Sequence, residues 1–268
     1  MLARIKGRAK AAVERRRLAR VRLAPCEVER LARLSEADLR AAMEDPATAQ
    51  DWPAVAETMR ALGLPDGTGG VNPGDRRAIY HLVRRLRPRR VLEVGTHIGA
   101  STVHIARALA DNGPDGTLVT VDIADVNDPH TQPWRRHGCS RSPAAMIGAL
   151  GLTERVTFVC EPSVSFLAGE GEPFDFIFLD GDHAASTVAR ELPLALRRLA
   201  HGGTVLLHDY FPGLRPLWPG RGVIPGPYLA TEALRAAGAR FEVLALGALP
   251  WPTKAGTNVT SLGVVARA

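Results

Sequence analysis

The sequence predicts an α/β fold in which helices sandwich a mostly parallel sheet of seven strands, preceded by a helical N-terminal extension. From residue 70 onward, short apolar segments alternate with longer segments of helical periodicity, a pattern typical of a parallel sheet covered on both faces. Residues 1–65 show helical patterns interrupted by prolines, and a glycine-rich turn follows them at 66–70. We therefore expect an extension over residues 1–69 and an α/β domain over residues 70–268.

The extension is predicted to be helical, with breaks near Pro25, Pro46 and Pro53. Ser35 and Asp38 have the three-residue spacing of a helix N-terminus, in which each side chain bonds the backbone of the other residue. Beyond the basic N-terminal segment, the patterns predict helices over 26–34, 35–44 and 53–62.

The α/β domain is predicted to alternate strands and helices up to a final pair of strands. The expected strands are 91–94, 117–121, 156–160, 174–179, 204–207, 241–245 and 261–266. The expected helices are 76–86, 101–110, 143–150, 164–168, 187–200 and 228–237.

The positive charge of the chain is concentrated in its first 25 residues. They contain nine Lys or Arg residues and one acid, Glu14, so this segment carries a net +8 and the remainder a net −2 of the total +6. Such a segment suits nucleic acid, an anionic membrane surface, an organelle transit peptide or a partner subunit. We favour a solvated helix or a homo-oligomer formed through the N-terminal helices.

Cysteine usage and hydropathy predict a cytoplasmic protein. Cys26, Cys139 and Cys160 are too few and too scattered for a disulfide framework or a zinc motif. No apolar run approaches the roughly 20 residues of a membrane span.

A glycine turn after the first predicted strand indicates a nucleotide-containing cofactor. Gly95 and Gly99 lie between the strand and a helix, where backbone amides can approach a ligand. Dinucleotide sites need glycines at offsets zero, two and five, whereas these lie at zero and four. The spacing therefore argues against NAD and for S-adenosylmethionine (SAM). Asp122, at the end of the second strand, is expected to accept the ribose hydroxyls.

The segments LEVGTHIGAS (92–101) and FDFIFLDGDH (174–183) resemble the class I SAM-dependent methyltransferases, especially small-molecule O-methyltransferases of the catechol and macrocin type. The resemblance implies a Rossmann-like fold, SAM as cofactor and O-methylation of a hydroxyl on a small molecule, either a sugar or a secondary metabolite. It also implies a set of cofactor-binding residues: Glu93, Gly95, Thr96, His97, Gly99, Ser101, Asp122, Ser163 and Asp180.

Two acids, Asp180 and Asp209, follow neighbouring strands and are expected to meet at the carboxyl edge of the sheet. Carboxylates suit Mg²⁺, and the resemblance implies that these two residues are metal ligands together with an asparagine. Tyr210 stands at the asparagine position, so either Asp182 substitutes or the metal is absent.

His183 is predicted to be the general base, and His208 is a second catalytic candidate. His183 lies three residues after Asp180, where the resembled enzymes have a catalytic lysine. An imidazole with an ordinary pKa near ~6.5 can take a hydroxyl proton at neutral pH.

The loops 124–141 and 211–227 are expected to recognise the acceptor because they are long and contain aromatic and arginine side chains.

Two other functions remain open. The basic segment would suit a nucleic-acid methyltransferase, although the proline motifs of base-modifying enzymes do not follow the fourth strand, and nucleic acid is therefore disfavoured as a partner. A non-catalytic SAM-binding subunit is the third possibility.

Overall fold

The computed structural model describes residues 2–67 and 70–268, and within these ranges it describes side chains from residue 9 onward. A seven-stranded sheet with strand order β3-β2-β1-β4-β5-β7-β6 forms the centre of the molecule. The strands are β1 Arg90–Val94, β2 Thr117–Asp122, β3 Val156–Cys160, β4 Phe174–Leu179, β5 Leu199–Leu207, β6 Phe241–Ala245 and β7 Gly263–Arg267. The helices are α1 Leu2–Leu18, α2 Glu36–Met43, α3 Pro46–Ala61, α4 Pro73–Leu86, α5 Ala100–Asn112, α6 Pro143–Ala149, α7 Ser163–Ala168, α8 Ala185–Arg197 and α9 Gly226–Ala236.

The pairing of the strands directs the functional residues to one edge. Strands β1 to β5 pair in parallel, and β7 pairs antiparallel with both β5 and β6. β1 is central and its residues from Val91 to Val94 are buried, because helices cover both faces of the sheet. The carboxyl ends of β1, β2, β4 and β5 therefore meet at the same edge, as the sequence predicts, and the mostly parallel fold is confirmed.

The helix predicted over 26–34 is wrong, because this segment pairs with the sheet instead. Only a single 3₁₀ turn forms, at Val28–Arg30. Ala32 donates its N–H to the Gly203 carbonyl and accepts from the N–H of Arg267. These long-range hydrogen bonds satisfy backbone groups that a local helix would otherwise have paired.

The helix predicted from residue 53 begins earlier, at Pro46. Asp45 caps it by accepting the N–H of Thr48 at 2.8 Å, and Pro46 occupies the first turn, where its missing N–H costs nothing. Pro53 lies inside the helix rather than at its start. The N-terminal signature of the preceding helix is confirmed, since Ser35 and Asp38 bond each other's backbone.

The helices of the extension pack against the sheet domain. Leu39 and Met43 of α2 and Val55 and Met59 of α3 belong to the same apolar core as α4 and α5. This packing buries their apolar faces as one unit with the domain. The predicted boundary at 69/70 stays a prediction, and residues 68 and 69 of the predicted turn lie outside the described residues.

The basic helix α1 packs on α8 and α9. Its buried side chains Ala11 and Leu18 contact the cluster that includes Val188 and Ala230. Those apolar positions are thus used within the chain, while Val13 is 46% exposed. The predicted oligomer stays a prediction, and the side chains of the apolar residues Leu2 and Ile5 of α1 lie outside the described part of the chain. In residues 2–67 and 70–268, no helix is long and apolar enough to span a bilayer.

Candidate active site

A cavity of about 620 Å³ opens at the carboxyl edge of the sheet. It has two sides. The turn rim consists of Gly95, His97, Asp122, Ile123 and Ser163, and the imidazole rim consists of Asp180, His183, His208 and Asp209. The other lining residues are Gly70, Val94, Val121, Glu161, Pro162, Val164, Gly181, Asp182 and Thr187.

Gly95 lies where the two rims meet. Its N–H continues the strand ladder to the Val121 carbonyl, and its φ of +98° is in the region that favours glycine. A Cβ here would collide with the backbone carbonyl of Asp180. Glycine is therefore required for the close approach of the β1 and β4 ends as well as for access to a ligand.

Asp122 ends β2 and projects into the cavity with its carboxylate oriented by backbone amides. One oxygen accepts the N–H of His97 at 2.8 Å and the other accepts the N–H of Ala124 at 3.0 Å. A carboxylate oxygen can accept more than one hydrogen bond. Each oxygen thus keeps acceptor capacity toward the cavity, as a pair of ribose hydroxyls requires.

Four of the predicted cofactor-binding residues support the turn from behind and do not line the cavity: Glu93, Thr96, Gly99 and Ser101. Glu93 accepts the hydroxyls of Thr102 and Thr120 through one oxygen, and Thr96 bonds Thr120 at 2.6 Å. Gly99 is the N-cap of α5, with φ +77°, and Ser101 is buried in the first turn of that helix. Their predicted direct contact with a cofactor stays a prediction.

Glu93 is fully buried, and burial raises its pKa to about 7, although hydroxyl donors oppose the shift. Its second oxygen, Oε1, is buried without a hydrogen-bond partner. Such an atom is costly unless a ligand or water supplies a donor.

Two residues of the turn rim show features that sequence reasoning missed. Ile123 is 75% exposed although it lies in the cavity wall, directly after Asp122. Ser163 donates to buried Glu191 at 2.5 Å, and burial raises the pKa of Glu191 to about 7. An apolar residue after a strand-end acid was the available signal for Ile123, whereas nothing in the local pattern marks Glu191.

The imidazole rim brings the predicted catalytic and metal residues together. His183 Nε2 lies 3.4 Å from Asp209 Oδ2 and 3.8 Å from Asp180 Oδ1. His208 Nδ1 lies 2.7 Å from Asp180 Oδ1. Asp209 has a φ of +52°, an uncommon backbone conformation in which Asp is enriched, and it accepts the Ser261 hydroxyl at 3.2 Å.

Asp75 is a further member of this network, and its role was not predicted. It is 0% exposed, and its Oδ2 lies 3.3 Å from His208 Nε2 and accepts the Asn72 amide at 2.6 Å. Asn72 is the N-cap of α4 and also accepts the N–H groups of Gly74 and Asp75. Asp75 therefore reaches the site from a helix start that lies far from β5 in the sequence.

His208 is held between carboxylates at both of its ring nitrogens. Burial by itself lowers the pKa of His208, but Asp180, Asp209 and the hydrogen bond with Asp75 outweigh it and raise the pKa well above its ordinary value. With both ring nitrogens facing carboxylates, His208 has no lone pair to offer in this arrangement. The His183 side chain is 31% exposed toward the cavity. Of the two predicted catalytic histidines, His183 has the geometry of a base.

The donor set does not fit an all-oxygen Mg²⁺ site. Tyr210, at the expected asparagine position, is buried beside Tyr228, and its ring packs 5.8 Å from that ring. Asp182 instead bonds residues at the start of α8, accepting the Ala184 N–H at 3.0 Å and the Thr187 hydroxyl at 2.6 Å. Asp180 and Asp209 are thus accompanied by two imidazoles rather than by a third oxygen ligand.

The two long loops contribute little to the cavity. Trp134 and Trp218 are buried, and Trp218 donates its indole N–H to the Val259 carbonyl at 3.0 Å. Neither of these aromatics nor any Lys or Arg of the described residues is among those lining the cavity. These two aromatics are used for packing, and the expectation that the two loops recognise the acceptor stays a prediction.

Comparison with known proteins places this site in context. Residues 92–210 match a sequence family described as a methyltransferase domain. A rhamnosyl O-methyltransferase of Mycobacterium tuberculosis is 29% identical over 153 residues, 57% of each chain. A catechol O-methyltransferase of the same species is 31% identical over 129 residues, 48% of this chain and 50% of that protein. The chain thus spans about half the length of the curated relatives it matches.

Solved structures share the fold. The O-methyltransferase from Bacillus cereus in complex with S-adenosylhomocysteine (SAH) has a TM-score of 0.54 at 22% identity, covering 87% of this chain and 98% of that chain. The O-methyltransferase TomG from Streptomyces achromogenes, in complex with SAM, also has a TM-score of 0.54, at 20% identity over 91% of this chain and 100% of that one.

Proposed function

We propose that the chain is a class I methyltransferase that transfers the methyl group of SAM to a hydroxyl of a small, neutral, hydroxyl-rich acceptor such as a sugar. The match of residues 92–210 to a methyltransferase domain supports the proposal. The observation that carries it is that one cavity is lined both by the Asp122 carboxylate, which two backbone amides orient, and by the His183 imidazole.

On the turn rim, Asp122 would accept the ribose hydroxyls and Ile123 would cover the flat face of the adenine. An apolar side chain that is largely exposed in the free protein gains by covering an apolar ligand surface. The hydroxyl of Ser163, held by Glu191, lies on the same side of the cavity. SAM would then extend past Gly95 and place its methyl group near the imidazole rim.

On the imidazole rim, His183 would take the proton as the acceptor oxygen attacks. With SAM bound, a new O–C bond would form as the C–S bond breaks in line, and the sulfur would keep the electron pair, so SAH would be the second product. Asp209 and Asp180 lie within 3.8 Å of His183 Nε2 and would stabilise its charged form. The protein's main task is alignment of oxygen, methyl carbon and sulfur.

The charge of the cavity supports a neutral acceptor. Five lining residues are acids: Asp122, Glu161, Asp180, Asp182 and Asp209. Carboxylates accept hydrogen bonds from hydroxyls but repel phosphates and carboxylates. The rhamnosyl O-methyltransferase among the relatives agrees with a sugar acceptor, and the acidic lining disfavours the phosphate backbone of a nucleic acid.

The proposal is tested in two steps. Calorimetry should show micromolar binding of SAM and SAH and no binding of NAD. Transfer from methyl-labelled SAM should then be measured with an alkyl rhamnoside, catechol and a single-stranded oligonucleotide. Labelling of the rhamnoside above the other two supports the proposal. Labelling of the oligonucleotide alone would favour a nucleic-acid enzyme, and SAM binding without transfer to any acceptor class would favour a non-catalytic subunit.

A further inference from the structure

Three potential metal ligands face one another on the imidazole rim, and a second carboxylate lies beside them. Donor atoms of Asp180, His183 and His208 all lie within 4.8 Å of one another. Asp209 Oδ2 lies next to this group, at 3.4 Å from His183 Nε2 and 3.9 Å from His208 Nδ1. One carboxylate oxygen and two imidazole nitrogens are thus close enough to share an ion.

Three of the separations among these donors are close to those around a tetrahedral ion. An ion bound at about 2.0–2.1 Å separates its four donors by about 3.3–3.4 Å. The measured separations are 3.4, 3.8 and 3.9 Å, and the short one, 2.7 Å between Asp180 Oδ1 and His208 Nδ1, joins a hydrogen-bonded pair. Once the proton between that pair is lost to solvent, an opening of less than about 1 Å brings this edge to the tetrahedral value.

The surroundings of His208 are those of a metal-bound histidine. Such a histidine usually donates its other ring N–H to a carboxylate, which fixes the tautomer that leaves the first nitrogen free for the metal. His208 Nε2 lies 3.3 Å from the buried Asp75 carboxylate, which the Asn72 amide orients in turn. When His208 donates its Nε2 proton to Asp75, Nδ1 keeps a lone pair with which it can bind the ion.

We propose that Asp180, His183 and His208, with Asp209 or a water molecule in the fourth position, bind a divalent transition ion of the Zn²⁺ class in preference to Mg²⁺, and that this ion inhibits methyl transfer. Imidazole nitrogens favour Zn²⁺, Co²⁺ and similar ions, whereas Mg²⁺ prefers oxygen and octahedral geometry. Inhibition, which rests on the proposed function, follows because the ion would occupy the lone pair with which His183 takes the acceptor proton.

The binding part is tested with Co²⁺, whose visible bands are intense in a tetrahedral site and weak in an octahedral one. Purified protein freed of metal by chelator should take up one Co²⁺ per chain with intense bands, and Zn²⁺ should abolish them. Mg²⁺ at more than a hundredfold excess should leave them unchanged. Weak bands only, or displacement by Mg²⁺, would overturn the proposal.

Variants locate the site. His183→Ala, at a partly exposed position, should abolish the intense bands while SAM binding persists. Asp75→Asn should weaken Zn²⁺ binding by about 10–100-fold. The matched control is His201→Ala, because His201 is exposed at the opposite end of β5. Circular dichroism of each variant distinguishes the loss of a metal-binding side chain from the loss of the fold.

A second histidine pair provides the competing explanation. His97 Nε2, on the cavity lining, lies 3.2 Å from His137 Nε2. Loss of the bands in His137→Ala, with retention in His183→Ala, would assign the ion to that pair and overturn the proposal.

The inhibition part needs the transfer assay. Stoichiometric Zn²⁺ should lower transfer to the rhamnoside at least tenfold, and chelator should restore it. Intense Co²⁺ bands in a protein that methylates no acceptor would keep the metal site and reject the proposed function. Transfer that Zn²⁺ leaves unchanged or accelerates would reject inhibition.

Discussion

The turn rim and the imidazole rim lie on the same sheet edge, but different groups hold their side chains. On the turn rim, Asp122 is oriented by two backbone amides, those of His97 and Ala124. On the imidazole rim, His208 is held between Asp180 and Asp75, so each ionisable group depends on another. The first arrangement keeps its geometry when a neighbouring side chain changes, whereas the second redistributes charge and protons.

This contrast suggests a division of labour. The partial charge and the position of backbone amides are fixed. This suits the binding of a single cofactor. Coupled carboxylates and imidazoles supply a proton acceptor whose affinity for protons depends on its neighbours. Substitutions on the turn rim should therefore change SAM affinity, and those on the imidazole rim should change turnover.

The largest expected effect is that of His183→Ala. Turnover on the true acceptor at pH 7 should fall by about 10²–10⁴-fold, because general-base assistance acts in the transition state. SAM affinity should stay within a factor of two of the wild-type value (about the precision of calorimetry). The loss should shrink for acceptors with more acidic hydroxyls. His201→Ala serves as the control, and near-normal turnover of His183→Ala would reject the assignment.

Asp122→Ala should give the complementary result. SAM affinity should weaken by about 1.5–3 kcal/mol, because hydrogen bonds to a charged group are lost. The matched control is Asp125→Ala, since Asp125 also bonds a nearby backbone N–H but does not line the cavity. Calorimetry of both variants measures the difference. Equal affinities would place the ribose elsewhere.

Glu191→Gln should change how stability depends on pH. The pKa of Glu191 is raised from 4.5 to about 7, so between these pH values the folded protein holds a proton that the unfolded chain has released. The free energy of unfolding therefore falls as pH rises through this window. Gln keeps an acceptor for Ser163 and does not ionise.

Relative to wild type, Glu191→Gln should gain about 1–3 kcal/mol in unfolding free energy between pH 5 and pH 8. Urea unfolding at the two pH values measures this gain. Glu172→Gln, on an exposed side chain, should show no such change. A pH-independent difference between Glu191→Gln and wild type would contradict the buried, protonated carboxyl.

The smallest expected effect is that of Ile123→Ala. SAM affinity should fall by about 1 kcal/mol as apolar contact with the adenine is reduced. Stability without ligand should be unchanged, because the side chain is 75% exposed. Val13→Ala on α1, also at an exposed apolar position, should leave SAM affinity at the wild-type value. A stability loss without an affinity loss for Ile123→Ala would indicate packing instead.

The sequence by itself determined the alternation of strands and helices, the edge to which Asp122, Asp180 and Asp209 project, and the glycine turn at Gly95. These features depend on local periodicity and on where a strand ends, and residues that are close together in the sequence determine both. For the same reason the class I methyltransferase resemblance could be recognised from two short segments.

Only the tertiary structure decided which groups face one another across the cavity. Asp75 joins His208 because α4 starts beside β5 in space, although 133 residues separate them in the chain. Segment 26–34 pairs with Gly203 instead of forming a helix, and Tyr210 turns into the core rather than toward a metal. Each of these outcomes is set by long-range packing and by the pairing of buried polar groups, which local periodicity does not encode.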